Sequence, residues 1–177
     1  MQYNIKKLEE NITDIIAESQ LKLGYTDNAL SLYYTPQSMV LIVGGENDIG
    51  KITAAVNGYV TDYLGRLECI FEDDRYVVTI PAEGVEYVHN NVQPSDFLKE
   101  FIGAVNDGCS MEKAIDIFRK HSQSAVIEKA EDDEFDVLAY FSDEKPDKFL
   151  YCLADDLGGI TYHRFTRQDY ESIFHAE

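Results

Sequence analysis

The stretch of sequence that decides the fold runs from Ala125 to Phe165 and reads AVIEKAEDDEFDVLAYFSDEKPDKFLYCLADDLGGITYHRF. It contains four apolar runs typical of β-strands, separated by short connections rich in Asp, Lys, Pro and Gly. Short connections favour antiparallel neighbours, because a parallel crossover needs about a dozen residues or more. We therefore predict a four-stranded antiparallel meander, with strands at Ala125 to Ala130, Phe135 to Phe141, Phe149 to Ala154 and Ile160 to Phe165.

Before Ser124 the apolar residues recur mainly at helical spacing. From Asn4 to Leu23 they lie three or four residues apart, and Gly24 is placed to end that helix. The other predicted helices are Pro36 to Val43 behind an N-cap at Thr35, Ile49 to Leu64 before Gly65, Ser95 to Gly108, Ser110 to His121, and a terminal helix capped by Thr166.

Two β-prone runs, Leu67 to Phe71 and Tyr76 to Ile80, predict a hairpin that ends at Pro81 to Gly84. Ala29 to Tyr34 predicts one more strand. The fold class is therefore α+β: the N-terminal two thirds are helical with a β-hairpin, and a C-terminal antiparallel four-stranded meander is followed by a terminal helix.

Length and cysteine spacing indicate one cytoplasmic domain. A chain of 177 residues suits a single domain over residues 1–177, and the alternative is a boundary near Ser122 to Ser124. The three cysteines are widely spaced, so we expect reduced thiols in a reducing cytosol. No secretory signal is recognisable, and the longest apolar run, Met39 to Val43, is far shorter than the ~20 residues that span a bilayer.

The chain is strongly acidic. Thirty-three Asp and Glu against 15 Lys and Arg leave a formal net charge of −18, which repels nucleic acid and anionic membrane surfaces. We therefore expect neither nucleic acid nor a membrane as a partner. Acidity serves solubility in most proteins; the alternative is docking to a basic partner, including mimicry of nucleic acid.

The string GENDIGKI, Gly45 to Ile52, matches the GxxxxGK pattern of a phosphate loop. In such a loop, backbone amides and the lysine bind phosphates, and a following Ser or Thr holds magnesium. Here Ile52 takes that last position, and Glu46 and Asp48 place negative charge inside the loop. Nucleotide binding at Lys51 is an alternative to a plain helix terminus with its connecting loop.

Cys152 and His163 form a candidate catalytic pair. If the last hairpin turns at Leu157 and Gly158, the two residues lie opposite each other and share a face of the sheet. A thiol beside an imidazole can become a nucleophile, but it also needs an orienting group and an oxyanion site, which the sequence does not identify. Structural packing is the other interpretation of this pair.

Two further groups are candidate ligand-binding residues. Tyr87 and His89 lie in the string GVEYVHNN, where a histidine that titrates near neutral pH could line a cleft. Tyr162 and Arg164 could bind an anionic ligand, although acidic neighbours could pair with the arginine. The structural alternatives are a histidine fixed by the backbone and an arginine held in ion pairs.

The sequence predicts no metal centre and no cofactor. The carboxylates of Glu131 to Glu134 and Asp136 lack the order of an EF-hand, so a solvated hairpin tip is the simpler interpretation. The four histidines, of which the last is His175, form no HExxH or other close pair.

Two stretches resemble a family of proteins from gut-dwelling anaerobic bacteria. They are NITDIIAESQLKLGYTDNALSLYYTPQS, Asn11 to Ser38, and IPAEGVEYVH, Ile80 to His89. That family is a domain of unknown function, so the resemblance implies a bacterial cytoplasmic origin and carries no activity or site residue. It favours a helix after Pro36 over a strand that feeds a phosphate loop.

The lack of a recognisable catalytic constellation favours a non-enzymatic binding or protein-interaction module of a bacterial cytoplasm. Its partner would be a protein or a small molecule, and a basic partner would suit the acidic chain. The alternatives are an enzyme with a hydrolase-like site at Cys152 and His163, and a degenerate phosphate-loop nucleotide binder at Lys51.

Overall fold

The computed structural model describes residues 2–174. Over that range it contains seven helices and seven strands, and the α+β class is confirmed. The chain forms two compact units, the first ending at Gln93 and the second beginning at Pro94. The single domain over residues 1–177 stays a prediction, and the alternative boundary at Ser122 to Ser124 falls inside the second unit.

The elements follow the predicted order, except that one helix after the β-hairpin was not predicted. The helices are α1 (Ile5–Leu23), α2 (Pro36–Val43), α3 (Ile49–Gly58), α4 (Ala82–Asn91), α5 (Asp96–Asn106), α6 (Met111–His121) and α7 (Arg167–Phe174). The strands are β1 (Leu30–Tyr34), β2 (Glu68–Glu72), β3 (Arg75–Ile80), β4 (Ala125–Lys129), β5 (Val137–Phe141), β6 (Leu150–Asp156) and β7 (Gly159–Phe165).

The longest helix of the first unit is α1. The side chain of Asn4 caps it by accepting a hydrogen bond from the Lys7 N–H at 3.3 Å, and Gly24 ends it in the left-handed conformation with φ 75°. Leu8 and Ile12 on its inner face are fully buried. Burying each such side chain contributes about 1.5–3 kcal/mol, which attaches α1 to the rest of the unit.

The sheet of the first unit is antiparallel, in the order β1-β3-β2. The predicted hairpin is confirmed as β2 and β3, and its turn places Asp73 and Asp74 at φ 48° and 58°. Positive φ at both central residues matches the right-handed twist of the flanking strands. The predicted strand at Ala29 to Tyr34 is confirmed as β1, which pairs with β3.

Asn57, near the end of α3, attaches that helix to β2. Its side-chain Nδ2 donates to the Cys69 carbonyl at 2.9 Å, and its Oδ1 accepts from the Cys69 N–H at 2.8 Å. One amide side chain thus satisfies both backbone groups of Cys69 on the outer side of the strand.

The helix predicted from Ile49 to Leu64 is wrong in its second half. It ends at Gly58, and Tyr59 is extended with φ −78° and ψ 133°. A glycine inside a helix costs about 1 kcal/mol relative to alanine, so extension of α3 past Gly58 is disfavoured. The residues after it are instead bound by a buried carboxylate of α1, and Gly65 bends a loop at φ 74° rather than capping a helix.

The hairpin ends after Ile80, as predicted, but the segment that follows begins α4, a helix that was not predicted. Proline is tolerated at a helix start, where its missing N–H has no intrahelical acceptor. Gly84 does not break the helix but allows its backbone to approach Leu64, as described below.

The second unit contains the predicted meander, in the order β4-β5-β6-β7. Rings from α5 and α6 pack against one face of this sheet, with centroids 5.3 Å apart for Phe101 and Tyr151 and 5.2 Å apart for Phe118 and Tyr151. Successive side chains of a strand point to opposite faces. Cys152 accordingly lies in a smaller cluster on the other face, together with Tyr170 of α7.

Candidate functional site

The first unit contains a groove between one side of α4 and the loop that follows α3. We call residues 59–66 the Tyr59 loop, and the cavity of about 570 Å³ beside it the loop groove. Ligand pockets commonly enclose roughly 300–1,000 Å³, so the groove is large enough for a side chain or a small molecule. Its lining residues are Asn57 to Tyr63, Gly65, Arg66, Glu83 and Tyr87.

The Tyr59 loop is held by a buried carboxylate. Glu9 of α1 is 2% exposed, and its Oε1 accepts from the backbone N–H of Asp62 at 2.7 Å and of Tyr63 at 3.4 Å. Its Oε2 accepts from the Tyr59 hydroxyl at 3.1 Å. A buried charge is costly unless such bonds satisfy it, so the loop and the carboxylate stabilise each other.

Tyr63 connects the loop to both neighbouring helices. Its hydroxyl lies 2.9 Å from the Thr13 hydroxyl on α1. Its ring stacks on that of Tyr87 of α4, with centroids 4.8 Å apart and an interplanar angle of 19°. Tyr87 is 40% exposed, so the pair presents an aromatic surface to the groove.

A close backbone approach fixes the distance between the loop and α4. A Cβ at Gly84 would lie only 2.2 Å from the Leu64 carbonyl oxygen, which no real side chain tolerates. A Cβ at Gly65, at φ 74°, would lie 2.7 Å from Glu83 Oε1, a side-chain atom of α4. The two walls of the groove are therefore in contact at their base, and the position of Tyr87 follows from that contact.

Three tyrosines and two carboxylates are among the residues that line the groove. Burial, followed by the hydrogen bond to Glu9 and the charges of Glu9, Asp62 and Glu10, raises the pKa of the Tyr59 hydroxyl to about 12. Asp62 also forms an exposed ion pair with Lys6 at 3.6 Å. Arg66 is the one basic residue among the groove's described lining residues.

Residues 5–174 match the sequence model of a family described as "Domain of unknown function, E. rectale Gene description (DUF3877)". The chain belongs to this family. The resemblance noted in the sequence is thereby confirmed. Neither the curated proteins nor the solved structures contain a match to this DUF3877 member.

The four candidate ligand-binding residues of this DUF3877 member do not come together. Tyr87 lines the loop groove, whereas His89 is exposed on the same helix and is not among the lining residues. Tyr162 and Arg164 belong to β7 of the second unit, where Tyr162 is 7% exposed and its ring lies 4.9 Å from that of Phe101.

Arg164 is part of a buried polar cluster. Its Nη1 lies 3.4 Å from Asp147 Oδ2, with the two side chains only 6% and 8% exposed. The Tyr151 hydroxyl donates to the same oxygen at 2.5 Å, and the guanidinium lies 4.0 Å from the centre of the Phe149 ring. These contacts use the arginine within the fold, as the structural alternative anticipated.

Cys152 and His163 do lie opposite each other on β6 and β7, as the predicted turn requires. The thiol is fully buried, and burial, with a smaller contribution from the charge of Asp132, raises the pKa of Cys152 to about 12. The imidazole is exposed and packs against the rings of Phe135 and Phe165. A nucleophilic cysteine needs a lowered pKa, so this environment opposes the catalytic interpretation.

Lys51 lies at the start of α3, next to the side chain that caps this helix. Asp48 Oδ1 accepts from the Lys51 N–H at 3.0 Å, and its Oδ2 pairs with the lysine Nζ at 3.0 Å. A carboxylate thus occupies the place that a phosphate would take. The preceding Met39 to Val43 belongs to helix α2, whereas a phosphate loop follows a strand.

Within residues 2–174 the structure shows neither a cluster of metal ligands nor a helix that could span a membrane. No group of His, Cys, Asp and Glu side chains in that range is arranged to hold a metal ion, and His175 lies outside it. None of its helices combines the length and the hydropathy that crossing a bilayer requires.

Four residues of the site were not predicted from the sequence: Glu9, Tyr59, Asp62 and Tyr63. The sequence did contain a signal for Glu9. This residue follows the helical spacing of Ile5, Ile12 and Ile16, so a glutamate lies where an apolar residue is expected. Its partners could not be identified, because they lie about fifty residues away in a loop that was predicted to be helical.

Proposed function

We propose that this DUF3877 member is a non-enzymatic protein-interaction module, and that its loop groove binds a lysine- or arginine-containing segment of a partner protein. The observation that carries the proposal is the stacked Tyr63 and Tyr87 pair beside the carboxylates of Asp62 and Glu83. Aromatic faces and carboxylates together are the groups that bind an organic cation.

Contacts within the chain support this choice of ligand. In the second unit, the Arg167 guanidinium lies 4.3 Å from the centre of the Tyr140 ring, and Arg164 covers Phe149 in the same way. Among the described residues, no such cation covers Tyr87. Its exposed ring is therefore accessible to a cation from another molecule.

The net charge supports the same partner class. At −18, the chain attracts cationic molecules over roughly a Debye length of ~8 Å at physiological salt. Such steering raises association rates with basic partners and disfavours acidic ones. We further propose that the protein acts in a bacterial cytoplasm, since its three cysteines are buried free thiols and its family is named after an E. rectale gene.

The proposal is tested by titrating the isotope-labelled full chain with three capped peptides that alternate glycine with lysine, arginine or glutamate. We expect the two basic peptides to shift the amide resonances of residues 57–66 and of α4, more strongly at low salt. A glutamate peptide that shifts the same resonances as strongly, or basic peptides that shift only other regions, would refute the proposal.

Tyr87→Ala is the matching variant, because it removes the exposed ring. A cation–π contact contributes ~0.5–2 kcal/mol, so affinity should fall about 2- to 30-fold. Tyr33→Ala is the control, since Tyr33 is 63% exposed on the sheet of the same unit and lies outside the groove. Equal losses in both variants would remove Tyr87 from the binding site.

A further inference from the structure

We infer that Glu9 is the positioning residue of the loop groove: its carboxylate sets the conformation of the Tyr59 loop that is competent to bind a partner. This inference rests on the proposed function and names the residue that controls the site. Glu9 lies on α1, does not line the groove and would touch no ligand.

The buried polar side chains of α1 point to this role. Glu9, at 2% exposed, and Thr13, at 6%, are both buried. They lie one helical turn apart, and both bind the Tyr59 loop through the contacts described above. An apolar side chain at either position would suit the core but would leave the loop's donors unsatisfied.

The bonds to Glu9 act on the groove wall itself. Two of them use the N–H groups of Asp62 and Tyr63, which carry a carboxylate and a ring of the binding surface. The third holds Tyr59 at the beginning of the loop. The opposite wall, α4, is attached to α1 separately, because the Gln20 side chain donates to the Val85 carbonyl at 3.0 Å. Loss of Glu9 should therefore move one wall while α4 stays in place.

Ionised carboxylates bind amides about twice as strongly as neutral groups do. Glutamine at position 9 keeps the size of the side chain and one acceptor, so helix α1 should still form. Its Nε2 group, however, replaces the oxygen that accepts from the Tyr59 hydroxyl. The loop should then sample other conformations, at a cost to binding rather than to the fold.

The test compares Glu9→Gln with Glu10→Gln in the full chain. Glu10 is exposed beside Glu9, so the two variants have the same net charge. We expect the affinity for the lysine peptide to fall about tenfold in Glu9→Gln, because this is the effect of losing one charge-assisted hydrogen bond. In Glu10→Gln the affinity should fall less than about twofold. Equal losses would show that only charge matters and would overturn the inference.

Amide hydrogen exchange provides a readout that does not depend on the peptide. In Glu9→Gln the Asp62 and Tyr63 amides should exchange faster, while the amides of the β2–β3 hairpin keep their protection. Unchanged exchange at Asp62 would overturn the inference even if binding fell. If the wild type binds no basic peptide but Asp62 loses protection in the variant, the anchoring role stands and the proposed function fails.

Tyr59→Phe examines the same anchor from the loop side, without altering α1. It removes one donor to Glu9 and should raise exchange at Asp62 in the same direction as Glu9→Gln. An Asp62 amide that exchanges as in the wild type would count against the inference.

Discussion

Substituting Gly84 by alanine sets two known effects against each other. Alanine is favoured over glycine inside a helix by about 1 kcal/mol. At Gly84, however, the new methyl group would lie 2.2 Å from the Leu64 carbonyl oxygen and 2.7 Å from its carbon. Overpacking costs about 1–3 kcal/mol, and the upper end applies because the obstacle is backbone. The expected net loss is therefore about 2 kcal/mol.

Thermal unfolding followed by circular dichroism measures this loss. For a chain of this size, 1 kcal/mol corresponds to about 2–4 °C, so the midpoint should fall by roughly 4–8 °C. Gly50→Ala is the control in the same unit, because its Cβ would meet only the Asp48 carboxylate at 3.7 Å. It should be neutral or stabilising. A Gly84→Ala protein as stable as the wild type would refute the close approach and, with it, the derived position of Tyr87.

Three further experiments test the structural interpretation of Cys152, Lys51 and Arg164. Iodoacetamide at pH 8 should label Cys152 far more slowly in the native protein than in urea, because burial raises the pKa of the thiol to about 12. Rapid labelling of the native protein would instead support Cys152 as a catalytic nucleophile. Lys51→Ala and the wild type should respond equally to magnesium nucleotides in a thermal-shift assay. If Lys51 formed a specific site, nucleotide at 100 times its Kd would raise the free energy of unfolding by about 2.7 kcal/mol in the wild type alone. Asp147→Asn should lower the free energy of unfolding by about 3–5 kcal/mol, since it removes one charge of the buried Asp147–Arg164 ion pair; urea denaturation measures the loss, and a change below about 1 kcal/mol would contradict the buried pair.

The meander could be predicted because each of its signals is local. Short polar connections and apolar runs specify neighbouring antiparallel strands, and a turn at Leu157 and Gly158 sets Cys152 opposite His163. The helix caps at Thr35, Ser95 and Ser110 are local in the same sense, since each side chain binds an N–H three residues further along.

The candidate site could not be predicted, because its contacts are distant in sequence. The apolar periodicity from Ile49 to Leu64 indicated a helix, but the bonds from Glu9 hold Asp62 and Tyr63 in a loop. Likewise Gly84 was predicted only to end the hairpin, whereas it lies inside α4 and approaches the backbone of Leu64. Tyr87 could be predicted as a candidate from the string GVEYVHNN, but its stacking partner Tyr63 could not.

The amide of Asn57 also bears on how the chain avoids self-association. Unpaired edges of sheets recruit strands from other molecules, which is a common origin of aggregation. Because Asn57 occupies both backbone groups of Cys69, intermolecular pairing along β2 is obstructed there. The opposite edge, β1, carries the exposed Tyr33. Charged substitutions that improve solubility at high concentration should therefore be sought in Leu30–Tyr34.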